Sequence, residues 1–288
     1  MMAFKHLPEI AGISLVAGNL PMQQGLQNAL YIRELCQADT PIYAGCEKPL
    51  TRALESAQEV HGEDGMGDIG LVLSGRQANP GHGVEALISA AHKHPGLTLI
   101  TLGPLTNIAT ALTLAPEIAA QISQCIIMGG TSDHYGNITP VSEFNIWADP
   151  EAAEVVFASA LPKVMVGWDI SRKYACIEPE LERQIRGLNS LKASLAMDIQ
   201  RQVAAFCANV TGLPGFDLPD PIAMAIAIDP GIILQSQQAA VTVSTNNDLT
   251  RGMTILDTRQ YLKREKSTRI VTQANAERFI QLLKESLI

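Results

Sequence analysis

Short apolar runs of strand length alternate with longer stretches of helical period along most of the chain. Ile13–Ala17, Ile42–Ala44, Leu97–Leu102, Ile126–Met128 and Val164–Val166 read as strands, each brief, apolar and bounded by turn residues. Between them the spacing predicts helices from Pro21-Met22 to Cys36, over Val84–His92, and around Ile108–Leu114 and Ile118–Ile122. Another helix starts at Asp149, where Asp-Pro-Glu supplies an N-cap with proline at the first helical position. After Ile177 the pattern is helical to about Val210. A Gly/Pro-rich loop, TGLPGFDLPDP (211–221), and a helix over Ile222–Ile228 follow. Ala239–Ser244 and Met253–Leu256 predict a hairpin added to the main sheet. Arg269–Val271 and an amphipathic helix over Ala274–Leu287 close the chain. Strands alternating with helices predict an α/β fold with a mainly parallel sheet covered on both faces. No repeat or long linker divides it, so residues 1–288 are expected to form a single domain. The opening MMAFKHLPE reads as two helical turns without a cap: either a frayed terminus or a helix lacking its start.

Composition narrows the function classes. Apolar residues make up 47% and charged residues 17%, as in a soluble globular protein with a sizeable core. The net charge is −8, and the lysines and arginines are scattered, which argues against a nucleic-acid or anionic-membrane surface. The five cysteines are widely spaced without a C-x-x-C pair, so neither disulfides nor a zinc site is expected. No uncharged apolar run approaches the roughly 18 residues of a membrane span, and the first residues lack the regions of a signal peptide. A reducing, cytoplasmic setting is expected.

The chain has no G-x-G-x-x-G after a strand, no Walker A and no G-x-S-x-G, which removes the main support for dinucleotide, phosphoryl-transfer and α/β-hydrolase chemistry. It has instead polar loops at strand ends: Ala17-Gly18-Asn19, His61-Gly62-Glu63-Asp64-Gly65, Leu102 to Asn107, YGNITPVSEFNIWADPEAA (135–153) and Pro219-Asp220-Pro221. In a parallel sheet such loops share one rim, where ligands bind. Asn137, Glu143 and Asn145 form a cluster that suits a polyhydroxylated ligand, because a carboxylate accepts from adjacent hydroxyls and an amide both donates and accepts. A sugar, ribose in particular, fits. Asn107 reads as a helix cap.

Together GPLTNIATAL, IIMGG followed by GNITPVSEFNIWADPEAA, HGEDGMG, VAGN and TRGMTILD resemble the inosine-uridine-type nucleoside hydrolases, over essentially the whole chain and in family order. The resemblance implies a Rossmann-like α/β fold with bound Ca²⁺ and hydrolysis of the N-glycosidic bond of ribonucleosides to ribose and free base. By position it implies Asp220 and the Leu102 carbonyl as metal ligands. Asn19, Asn137, Glu143 and Asn145 become ribose-holding residues, Met128 a pocket wall, and His61 the counterpart of a histidine that faces the site in some pyrimidine-preferring members. A small-molecule nucleoside is the expected partner, and a homodimer or homotetramer the expected assembly.

Two departures stand out. The family's opening D-x-D-P-G-x-D-D, which supplies most metal ligands and the general-base aspartate, is absent, and that aspartate is expected upstream of Met1. The first strand that carries it belongs beside Ile13–Ala17. On this reading the chain is expected to bind Ca²⁺ weakly or not at all, and an inactive or truncated nucleoside- or ribose-binding paralogue is the alternative to an enzyme. Pro219 stands where many members have a histidine that protonates the leaving base; Trp147 and Phe216 are the candidates for activating the base by stacking instead.

Overall fold

The computed structural model describes residues 1–246, 248–261 and 263–288. Its strands are β1 (Ile13–Ser14), β2 (Ile42–Tyr43), β3 (Leu97–Thr101), β4 (Ile122–Met128), β5 (Lys163–Val166), β6 (Cys176–Ile177), β7 (Phe216–Asp217), β8 (Ile233–Val243), β9 (Thr254–Asp257) and β10 (Thr268–Ala274). The helices are α1 (Met2–His6), α2 (Met22–Leu35), α3 (Gln58–His61), α4 (Gly83–Lys93), α5 (Thr106–Leu114), α6 (Phe144–Ala148), α7 (Pro150–Ala158), α8 (Trp168–Tyr174), α9 (Pro179–Arg186), α10 (Leu191–Asp198), α11 (Arg201–Phe206), α12 (Pro219–Ile228) and α13 (Ala276–Ser286).

A six-stranded sheet of order β3-β4-β5-β10-β8-β9 forms the centre. β3, β4, β5 and β10 run parallel, and β8 and β9 continue antiparallel as the expected hairpin. Successive side chains of β4 serve opposite faces. Cys125 and Ile127 pack with α4, α5 and α7, while Ile126 and Met128 pack with α8, α12 and α13. Burial on both faces is why these strands read as unbroken apolar runs. Alternation also puts Met128 on the side of α12, the helix that bears Asp220.

Three boundaries differ from expectation. The stretch around Ile118 is a short 3₁₀ turn over Pro116–Ala120, and Ile122 already pairs with Leu97 in the sheet. Polar Ser123 and Gln124 hide that strand start. β8 begins at Ile233, six residues early, because its first half exposes Leu-Gln-Ser-Gln-Gln and carries no apolar run. Ile13–Ser14 pairs with Ile42–Tyr43 in a separate two-stranded ribbon and does not join the main sheet. α1 is uncapped, as expected, but it is docked: Met2 is buried in the core and His6 lies 3.1 Å from the Ser286 hydroxyl.

Candidate active site

The C-terminal ends of β3, β4 and β5 point the same way, so the loops after them meet on one rim. The loop after β4 turns at Gly129-Gly130 and returns through residues 135–143 into α6. Glu143 is the N-cap of that helix, a role the sequence analysis did not assign. Its carboxylate accepts N–H bonds from Asn145 (2.8 Å), Ile146 (3.3 Å) and Gly130 (2.8 Å). The side chain is buried, and burial pushes its pKa up to about 7 although the three N–H bonds oppose the shift. An ionised carboxylate has about four acceptor positions, so three bonds leave capacity for a ligand hydroxyl.

Neighbouring residues are tied to the same cradle. The Asn145 amide donates to the carbonyl and to the sulfur of Met128, both at 3.2 Å. Asn137 accepts the Phe144 N–H at 2.9 Å, which leaves its amide nitrogen as a donor. Asp220 lies in the first turn of α12, whose N-cap is Leu218 without a side-chain bond, so Asp220 is not a cap. Burial, with Glu143 and Asp217 as negative neighbours, raises the Asp220 carboxyl to about 7. Part of its surface stays accessible, and no protein hydrogen bond reaches the carboxylate among the described residues. Two deep carboxyl groups thus share one field, Glu143 with three N–H bonds and Asp220 with none among the described residues.

Beside them runs a cleft of about 610 Å³ between β1 with its extension to Val16 and β3 with its extension to Leu102. Asn19, Leu102, Asn145 and Met224 line it. Met224 was not picked out from sequence, although it follows Asp220 by one helical turn on the same face. β3 pairs only with β4 among the described residues, so its other edge faces this cleft. Thus Asn19, Leu102 and Asn145 share one space; Met128 and Glu143 are bonded to Asn145, Asn137 is bonded to Phe144 next to it, and Asp220 lies in the field of Glu143. His61 is the exception. It ends α3, half-buried, with its pKa lowered by burial, and it is not among the residues that line the cleft. A separate hollow on α4, lined by Glu85, His92 and Lys93, holds none of these residues.

Other candidates find structural work. Asn107 is no cap: its side chain accepts the Cys46 N–H and donates to the Ser14 hydroxyl and the Leu15 carbonyl, stapling the β1 ribbon to α5. Phe216 is sealed in the core, which leaves no open ring face for a base, and Arg251 covers one face of the half-buried Trp147 ring. Asp217, buried and bonded to the Ser171 hydroxyl at 2.5 Å, adds a third carboxyl near Asp220. Sequence gave no sign of it beyond its place in the same loop.

Comparison with known proteins completes the site's description. A family model described as inosine-uridine preferring nucleoside hydrolase matches residues 1–281. The chain is 33% identical over 287 residues to the pyrimidine-specific ribonucleoside hydrolase RihB of Escherichia coli, covering 99% of this chain and 91% of the relative. It is 31% identical over 283 residues to an inosine-uridine preferring nucleoside hydrolase of Leishmania major, covering 97% and 89%. Among solved structures, a purine-preferring ribonucleoside hydrolase from Gardnerella vaginalis superposes with a TM-score of 0.90 at 29% identity, covering 99% of this chain and 92% of the other. The base preferences in these names differ. The ribonucleoside is common to the two ribonucleoside hydrolases.

Proposed function

The chain belongs to the inosine-uridine preferring nucleoside hydrolase family, and from that premise and the site's geometry we propose how its residues divide the work. The reaction is hydrolysis of the N-glycosidic bond of ribonucleosides, giving ribose and free base. Nothing in the comparisons favours the inactive ribose-binding alternative.

One observation carries the assignment: the Glu143 carboxylate, which adds its negative charge to the field at Asp220, is bonded to Asn145, and Asn145 lines the cleft together with Asn19 and Leu102. Glu143, held by three N–H donors, accepts from a ribose hydroxyl with no reorganisation at the moment of binding. Asn145, Asn137 and Asn19 supply the neutral donors and acceptors, and Met128 closes the wall. A ligand lacking the hydroxyls leaves these groups unpaired and is rejected. Asp220, whose carboxylate accepts no protein hydrogen bond among the described residues, is the carboxylate available to a cation or a water.

The calcium that the resemblance implies needs six to eight oxygens. Asp220 and the Leu102 carbonyl offer two, Glu143 is largely engaged, and no group of three or more His, Cys, Asp or Glu able to hold a metal occurs among the described residues. The described residues therefore do not fit a complete calcium site, and no step is routed through one. We also propose a cytoplasmic location, supported by five free cysteines, and a homodimer or homotetramer, which sedimentation measures directly. No helix among the described residues is long and apolar enough to cross a membrane.

The test of function is release of reducing sugar from inosine, uridine and cytidine in millimolar calcium. Sugar release that falls in Glu143→Gln and Asp220→Asn supports the reading. Full activity in both variants contradicts it.

A further inference from the structure

We propose that the turn joining β8 to β9 is a positioning clamp for Glu143, with Arg251 as its principal residue. The proposal rests on the reading that Glu143 holds ribose. The base of the turn is closed by two bonds: the Ser244 N–H donates to the Met253 carbonyl at 3.0 Å and the Gly252 N–H to the Ser244 carbonyl at 2.9 Å. From this base Arg251 reaches both ends of the segment that carries Glu143. Its carbonyl accepts the Ser142 hydroxyl at 2.6 Å, one residue before Glu143. Its Nε donates to the Trp147 carbonyl at 3.0 Å, four residues after, and its guanidinium carbon sits 3.9 Å from the centre of the Trp147 ring. Nη1 pairs with Glu55 at 2.7 Å, which fixes the guanidinium from the outside.

The adjoining glycine tightens the grip. Gly252 has φ +75°, and a Cβ there would overlap the backbone of Trp147. Any larger residue would push α6 away and would also be strained in its own backbone.

A second arm of the same turn holds the other donor to Glu143. The Thr254 hydroxyl donates to the Thr131 carbonyl at 2.8 Å and accepts the Thr131 N–H at 3.1 Å. Gly130, directly before Thr131, gives its N–H to the Glu143 carboxylate. So the two segments that supply Glu143 with N–H bonds, residues 142–147 and 129–131, are both anchored to residues 251–254. Arg251 is also costly where it stands, with Nη2 buried and unpartnered among the described residues. An unpaired buried donor subtracts from stability, so fold stability alone is a poor account of this arginine.

A double-mutant cycle read by calorimetric titration with D-ribose, in millimolar calcium, tests the clamp. Arg251→Ala should weaken ribose binding about tenfold, within the coupling range for residues sharing one hydrogen-bond network. In a Glu143→Gln background the same change should add little. Arg251→Lys should fall between, since lysine keeps the charge near Trp147 but not the fixed fork of donors. Equal losses in both backgrounds, or no loss from Arg251→Ala, overturn the clamp while leaving the Glu143 reading intact. No loss from Glu143→Gln overturns that reading and the clamp with it. Should Arg251→Ala fail to fold, Thr254→Val, which removes the second arm at nearly constant volume, enters the same cycle with the same expectations.

Discussion

Two buried carboxylates, Glu143 and Asp149, start two helices six residues apart, and they are spent differently. Asp149 accepts the Ala152 N–H at 3.0 Å, the Leu50 N–H at 2.9 Å and the Thr106 hydroxyl at 2.7 Å. Those bonds join α7, the loop after β2 and α5, and Asp149 is entirely enclosed. Glu143 makes an equal number of bonds, but all to backbone N–H groups on its own rim, and Asp220 lies in its field. The same capping device therefore yields a structural rivet in one place and, on the function proposed above, a preorganised acceptor in the other. What separates them is what the bonds join: three distant segments for Asp149, one rim beside Asp220 for Glu143.

The sharpest way to break this comparison is to remove each carboxylate. Asp149→Ala strands two buried N–H groups and a hydroxyl, and should lower unfolding free energy by about 3 kcal/mol, a lost cap plus unsatisfied donors. A chemical-denaturation midpoint unchanged from wild type would contradict the rivet. Glu143→Gln should instead register in ligand affinity. A hydrogen bond to a charged acceptor is worth roughly 1.5–3 kcal/mol, or about ten- to a hundredfold in kcat/KM for inosine or uridine. If Asp149→Asn cut kcat/KM by as much as Glu143→Gln, the two sites would not differ in kind.

A smaller effect sharpens the role of Asp220. A carboxyl whose folded pKa is raised to about 7 binds its proton more tightly folded than unfolded. Below its ordinary range near 4 it contributes no pH dependence. Between there and pH 7 stability falls as pH rises, and above pH 7 the full penalty remains. Thermal melts in chelator from pH 4 to 8 should therefore show wild type losing more stability than Asp220→Asn over this window, with a cation restoring part of the loss at pH 8. Parallel profiles would show that Asp220 is not held under strain by its burial.

Much of this was legible in the sequence, for identifiable reasons. Asp149 could be read because Asp-Pro-Glu is a local signal, and the parallel half of the sheet because double burial writes apolar runs. Glu143 stood out in the sequence as part of a polar cluster, but its cap did not, since α6 is barely more than one turn and has no proline to mark it. Asn107 misled because Thr-Asn after Pro-Leu looks like a cap, while its actual partners, Cys46, Ser14 and Leu15, lie far away in sequence. The separation of β1 from the main sheet and the grip of Arg251 on Trp147 are likewise choices among distant partners, which no local pattern encodes. The start of β8 was hidden because residues 234–238 are all exposed and carry no apolar run.

The most direct measurement is a crystal structure of the chain with D-ribose and calcium. The account predicts the sugar at the rim between Glu143, Asn145 and Asp220, with a ring hydroxyl within about 3 Å of the Glu143 carboxylate and the N–H bonds from Gly130, Asn145 and Ile146 unchanged. Ribose bound elsewhere, or a Glu143 side chain that leaves its cradle to reach the sugar, would contradict it.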